Sequence, residues 1–395
     1  MMPLVRFFLE QPRLLSFGLL LTLFSSFGQT FLIAIFVPQL LETFALTTHD
    51  FGLLYALATL SSAATLPWFG RLIDRISLHR FSLAAAGGLA AACMAMALAP
   101  NTFGLFVAIV SLRLTGQGLL SLTASTTMAR AFERTRGKAL SIAGLGYPLG
   151  EAVFPIVVVT SLQLLGWRLS WVAFATLVLG LLLPALAGLL RGIDARPQAA
   201  VTPDRQPVRP VLFRDPRFYA LMPGTLFLPL VLTALFLYQL PLAAYQGWST
   251  KVIATAFIGF AAARIVASLL MGPLIDRFSA RRLFPLILLP VCLGLGVLSV
   301  AQSTWVAYFY LAMAGISQGL AAPLVTSLWA EVYGVSALGA IKGVVSTCAI
   351  FATALGPLLL GWALSAGVDF GFILPACALA ALLVSALSLA AHRAM

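Results

Sequence analysis

Twelve long apolar runs, set apart by short polar breaks, constrain this chain more than any other feature of its sequence. They lie at approximately 15–41, 51–69, 80–99, 103–129, 138–161, 169–190, 218–246, 251–272, 283–301, 304–330, 338–362 and 370–391. A helix that crosses a membrane needs about 20 predominantly apolar residues. Inside lipid, backbone N–H and C=O groups must be paired within the protein, so the runs are read as helices one to twelve. Several are longer than about 25 residues, which predicts tilt or kinks. Pro38, Pro148, Pro155, Pro229, Pro241 and Pro323 lie inside runs. Only 9% of the residues are charged and 61% are hydrophobic, against roughly 25% charged in a soluble domain. Such a chain cannot clothe a soluble surface with polar groups.

One break is long. Residues 191–217, "RGIDARPQAAVTPDRQPVRPVLFRDPR", are polar and rich in proline and arginine, the composition of a linker. The expected organisation is a six-helix bundle over 1–190, a cytoplasmic linker over 191–217 and a second six-helix bundle over 218–395. The bases set the orientation. With the N-terminus in the cytoplasm, every Lys and Arg except Arg113, Arg168, Lys251 and Arg264 falls in a cytoplasmic segment. Basic loops stay inside, so both termini are expected in the cytoplasm. The net charge of +12 then belongs to the lipid-headgroup face and not to a nucleic-acid partner. No signal peptide is recognised at the N-terminus. The Ala, Leu, Gly and Arg bias suggests a bacterial inner membrane.

The two halves repeat each other. "GRLIDRISLHR" at 70–80 returns as "GPLIDRFSARR" at 272–282, an offset of 202. "GQGLL" at 116–120 is echoed by "SQGLA" at 317–321, Gly137 by Gly339, and Pro38 by Pro241, all at nearly that offset. Six spans per half bring both halves in from the same side. The repeats are therefore parallel, related by a pseudo-two-fold axis along the membrane normal. The fold class is an all-α membrane protein of twelve transmembrane helices. In the repeated loop, Gly70 and Gly272 are expected to let a helix end pack close to a neighbour. Asp74 and Asp276, with Arg75 and Arg277 beside them, lie where a carboxylate can meet a helix N-terminus or an arginine.

These residues resemble the major facilitator superfamily. "GRLIDR" is similar to its loop signature between helices two and three. "RLTGQG" at 113–118 is similar to its fourth-helix Arg…Gln-Gly motif. "ARAFERTRGKALSIAGLGYPLG" at 129–150 resembles the helix-five region of its monocarboxylate and organic-anion branches. The resemblance implies two halves that rock about a central site. It also implies a cytoplasmic gate in which Asp74 lies near the start of helix eleven and Asp276 near the start of helix five. Organic-anion members often carry an arginine four residues before the second loop glycine. Here that position is Ser268, and the arginine is Arg264, one turn deeper.

Three ionisable residues lie well inside runs. A charge at the bilayer centre costs about 2.5–3.5 kcal/mol on insertion scales, so each needs a partner or a wet cavity. Arg264 precedes Gly272 by eight residues, ~12 Å along a helix and near mid-membrane. It is read as a fixed cation for an anionic substrate or as a structural arginine bonding backbone carbonyls. Arg113 of helix four and Glu151 of helix five fall at ~25 and ~20 Å from their shared loop. They are read as a structural ion pair or as a proton-coupling carboxylate with its arginine. Gln29, Tyr238, Gln239 and, more weakly, Tyr147 are polar candidates for a substrate site. Gln117 and Gln318, flanked by small residues, are read as helix packing.

No catalytic constellation is present in the sequence. The cysteines stand singly and no zinc pattern occurs. No Gly-rich nucleotide loop is found. The expectation is a secondary transporter, not an enzyme and without cofactor, working as a monomer. It would carry a small organic anion, a carboxylate, with a proton as the coupling ion. Export of amphipathic drug-like compounds and a non-transporting receptor are the alternatives.

Overall fold

The computed structural model describes residues 2–132, 134–192, 213–334 and 338–394. The side chain of Asp74 and linker residues 193–212 lie outside the described residues. Among those described there is no strand. Ten helices are long and apolar enough to cross a membrane. One of them, Arg136–Leu189, is two arms that meet at Gly166, where φ is 74°. A bent pair, Pro12–Gly28 with Thr30–Thr43, makes one more span. With the two arms separated and the bent pair counted, the twelve expected membrane helices are all present. A short helix, Met2–Glu10, precedes helix one. Large apolar side chains such as Leu164, Phe372 and Trp362 are well exposed on helix surfaces, as lipid contact requires.

The described residues cluster into two compact units. One draws on residues 1–46 and 57–201, the other on 47–56 and 202–395. The first turns of helix two thus pack with the second unit.

In the first unit, helix one is not continuous. It runs Pro12–Phe24, tightens to a 3₁₀ turn over Ser25–Gly28, and is interrupted at Gln29, whose φ of −87° and ψ of 150° are extended. It resumes at Thr30 and runs on to Thr43 with a bend of 44° across the break. The break lies against helix four at its own irregular stretch, Arg113–Leu120, which is wound as a π-helix. Two glycines make the approach possible. A Cβ on Gly116 would sit 2.7 Å from the Gly28 nitrogen, and one on Gly28 would be driven into the Leu112 carbonyl oxygen. On both sides of the break, Phe27 and Phe36 join Trp171 and Phe174 in an aromatic cluster linking helices one and six, with ring centroids 4.9–5.6 Å apart in the Phe27–Phe174, Phe36–Trp171 and Trp171–Phe174 pairs.

In the second unit, the main packing is between helix eight, Thr250–Phe278, and helix ten, Trp305–Tyr333. Helix ten carries "GISQG", a small-xxx-small stripe that lets two membrane helices touch backbone to backbone. Gly315 lies on the Phe260 carbonyl and Gly319 on the Arg264 carbonyl. Helix seven, Pro216–Leu237, breaks at Tyr238 and continues as Gln239–Tyr245. The start of helix two is pinned at this end of the unit. The Tyr238 hydroxyl donates to the Thr48 carbonyl oxygen at 2.7 Å. Thr48 Oγ1 pairs with Ser365 Oγ at 2.8 Å, and the His49 N–H donates to Ser365 Oγ at 3.0 Å.

Candidate functional site

Buried charge gathers in the first unit at the break in helix one. Arg113, the first residue of the π stretch, is only 4% exposed and donates from Nη1 to Thr30 Oγ1 at 3.5 Å. Thr30 opens the resumed helix directly after Gln29. Glu151 is 7% exposed in helix five. Its neighbour Gly150 packs on Ser26 in the 3₁₀ turn, and the ring of Phe154, one turn on, lies 4.8 Å from that of Phe27, tilted by 52°. Arg113 and Glu151 therefore approach the same interruption of helix one from two different helices. Tyr147 is half-buried and four residues before Glu151, on the same helix face.

This arrangement has a physical basis in the sequence. "SSFGQT" offers small residues where backbone contact with helix four is close, and Ser25 and Thr22 hydroxyls take up carbonyls near the break. Interrupted helices leave amides and carbonyls without their regular partners, which suits them to polar cargo inside a membrane. The π winding is a second such irregularity, of a kind often found at functional sites.

In the second unit, Arg264 is half-buried on helix eight, with its backbone against Gly319. Tyr238 is fully buried, with its hydroxyl committed to Thr48. Gln239 is 2% exposed, and neither its amide nitrogen nor its amide oxygen has a hydrogen-bond partner. A buried amide left unbonded costs about 1–3 kcal/mol for each such group. Such a group calls for an explanation by water, ion or ligand.

The repeated loops differ in packing. A Cβ on Gly70 would meet Leu122 Cδ2 at 3.1 Å, whereas nothing lies within 4 Å of one on Gly272. Close packing, expected of both glycines, is found at the first alone, because helix eight meets its neighbour higher up, through Gly315 and Gly319. Arg75, Asp276 and Arg277 are exposed, and the Arg277 guanidinium rests 5.1 Å over the Phe278 ring.

Sequence reasoning missed two features. Thr48 and Ser365 read as ordinary span-end polar residues. Glu331, at the end of helix ten, accepts from the Ala280 and Arg281 N–H groups at 2.8 and 3.1 Å, and its carbonyl takes the Arg281 guanidinium. A carboxylate at a span end facing "ARR" was the available signal.

Two repeated helix bundles, the first with buried charge at an interrupted helix, have the build of a class, the secondary transporters of helical membrane proteins. The model of the Major Facilitator Superfamily matches residues 19–258 and 233–393. The chain belongs to that superfamily, and it is a membrane transporter and not an enzyme. Among curated proteins none matches the sequence. Solved structures share the fold. One is a bacterial homolog of the human lysosomal transporter Spinster in an inward-facing and occupied conformation, with a TM-score of 0.73, 16% identity, and 97% of this chain and 96% of that one covered. Another is a mutant of the nucleoside transporter NupG, with a TM-score of 0.70, 13% identity, and 97% and 98% covered.

Proposed function

We infer that the chain moves a small organic anion, a carboxylate, by alternating access between its two six-helix halves (1–190 and 218–395, joined by the linker 191–217), driven by protons. The observation that carries this reading is Arg113, buried at the broken segment of helix one with Glu151 approaching the same break. A guanidinium holds a carboxylate through two parallel hydrogen bonds. Arg264 supplies a second cation at membrane depth, and the unbonded Gln239 amide supplies a donor and an acceptor for cargo. Glu151 gives the coupling group. Protonated, it lets the Arg113 charge balance the substrate; ionised, it balances Arg113 when the substrate has gone. Gly70, Asp74, Arg75, Gly272, Asp276 and Arg277 form the gate. The basic loops support a bacterial inner-membrane location with both termini in the cytoplasm.

Uptake of radiolabelled carboxylates into proteoliposomes, with and without a pH gradient, tests the reading. Arg264→Ala is expected to lower uptake at least tenfold while the protein still inserts. Glu151→Gln is expected to abolish accumulation driven by the gradient but to leave exchange between loaded vesicles. Wild-type uptake by Arg264→Ala would remove the anion site, and gradient-driven accumulation by Glu151→Gln would remove the coupling role. Export of amphipathic drug-like compounds with no carboxylate uptake would favour the drug-efflux alternative.

A further inference from the structure

The first unit holds a cavity of about 660 Å³ far from the buried charges, where helix three begins and helix six ends. His79, Pro184, Ala187, Gly188, Leu190, Arg191 and Gly192 line it. We propose that this cavity binds the phosphate headgroup of an anionic phospholipid.

Four features of the cavity point to an anion. Helix three, Leu78–Leu98, starts at its rim, and a helix N-terminus carries partial positive charge and outward N–H groups. The Ser77 hydroxyl takes the Arg80 N–H, and its carbonyl takes the Phe81 N–H. The opposite wall is the C-terminal end of helix six, which would ordinarily present carbonyls and repel an anion. Here Arg13 covers it, donating from Nη2 to the Gly188 and Arg191 carbonyl oxygens at 3.3 and 2.9 Å. The carbonyl end is thereby turned cationic. Arg191 is itself exposed and His79 half-buried, both on the lining, and among the described lining residues there is no carboxylate.

Depth and lining choose a lipid over a free ion. His79 is the second residue of one candidate span, and Arg191 is the second residue beyond another. The cavity is therefore level with headgroups. Pro184, Ala187 and Leu190 give it an apolar wall that free phosphate cannot use but a glycerol backbone and the first methylenes can. Basic pockets between helices at the cytoplasmic end are suited to acidic headgroups. The volume lies within the range of about 300–1,000 Å³ typical of ligand pockets. This site is separate from the proposed cargo path, and it does not depend on which solute is carried.

Native mass spectrometry of the purified full chain would test it, with phosphatidylglycerol, phosphatidylcholine and inorganic phosphate added in separate titrations. Thermal unfolding would be followed on the same samples. The wild type is expected to keep one phosphatidylglycerol adduct at concentrations at least fivefold below those that retain phosphatidylcholine, and to unfold at a higher temperature with it. Arg191→Ala should weaken that adduct at least fivefold, Arg191→Lys should keep most of it, and Ala187→Glu should weaken it with the arginine still in place. Phosphatidylglycerol binding unchanged in both Arg191→Ala and Ala187→Glu would overturn the proposal. So would equal retention of phosphatidylcholine, or the same stabilisation by inorganic phosphate alone.

Discussion

The loops at 70–77 and 272–279 share Gly-x-Leu-Ile-Asp-Arg-x-Ser, yet they start the next helix in two different ways. In the first copy, Ser77 sits in extended backbone, with φ −60° and ψ 144°, and its side chain caps helix three by accepting from the Arg80 N–H at 3.4 Å. In the second copy, Ser279 has φ 68° and makes no side-chain cap. There the carboxylate of Glu331, from helix ten, accepts the Ala280 and Arg281 N–H groups instead. The residue that repeats Glu331 in the first half, at the offset of Gly118 and Gly319, is Arg130. A cation cannot cap a helix N-terminus, so the first copy has to cap itself. Duplication kept the loop, while one charge reversal on a neighbouring helix decided whether closure is local or long-range.

The same pair of positions separates the halves at the helix contacts. A Cβ on Gly319 would be driven into the Arg264 backbone, whereas one on Gly118 would meet Leu66 Cδ1 at 2.9 Å, the end of a flexible side chain. Gly319→Ala should therefore have the largest effect, a loss of about 2–3 kcal/mol from overpacking, with Gly118→Ala costing less than half as much. Unfolding of both variants in the same detergent checks this, and equal losses would break the contrast.

Next in size is the cap. Glu331→Ala should destabilise by about 1–2 kcal/mol, because the Ala280 and Arg281 amides lose a charged acceptor. Ser77→Ala should lose about 1 kcal/mol, as an N-cap serine does. If Ser279→Ala were as damaging as Ser77→Ala, the two loops would be closing alike after all. Hydrogen exchange at the amides of Ala280 and Arg281 reads the same comparison directly, and it should accelerate in Glu331→Ala alone.

The smallest effect has the opposite sign. Ser279 holds a left-handed φ that glycine adopts without strain. Ser279→Gly should gain up to about 1 kcal/mol, whereas Ser77→Gly should gain nothing. A shift in melting temperature of a few degrees or less is the expected readout.

Much of the architecture was legible because its signals are additive along the chain. Apolar length marks the spans, proline and glycine mark their interruptions, and charge in the loops orients them. Gln29 and Tyr238 could be placed beside breaks in helices one and seven from "SSFGQT" and "YQLP" alone. Arg113 and Glu151 stood out because charge in lipid is costly. The π winding over "RLTGQGLL" was not legible: the stretch reads as ordinary helix, and the extra residue per turn accompanies contact with Gly28 of another span. Equally hidden was the allegiance of residues 47–56, whose hydrogen bonds go to Tyr238, Gly361 and Ser365.

The sequence by itself determined a twice-repeated membrane chain of twelve helices and the few places where polar groups enter lipid, since burial in a bilayer is governed by local length and hydrophobicity. Only the tertiary structure decided which copy of the loop caps itself, which glycines touch a neighbour's backbone and which break receives the buried arginine. Those outcomes depend on atoms brought together from 50 to more than 300 residues away, and no periodicity within one segment encodes such a distance.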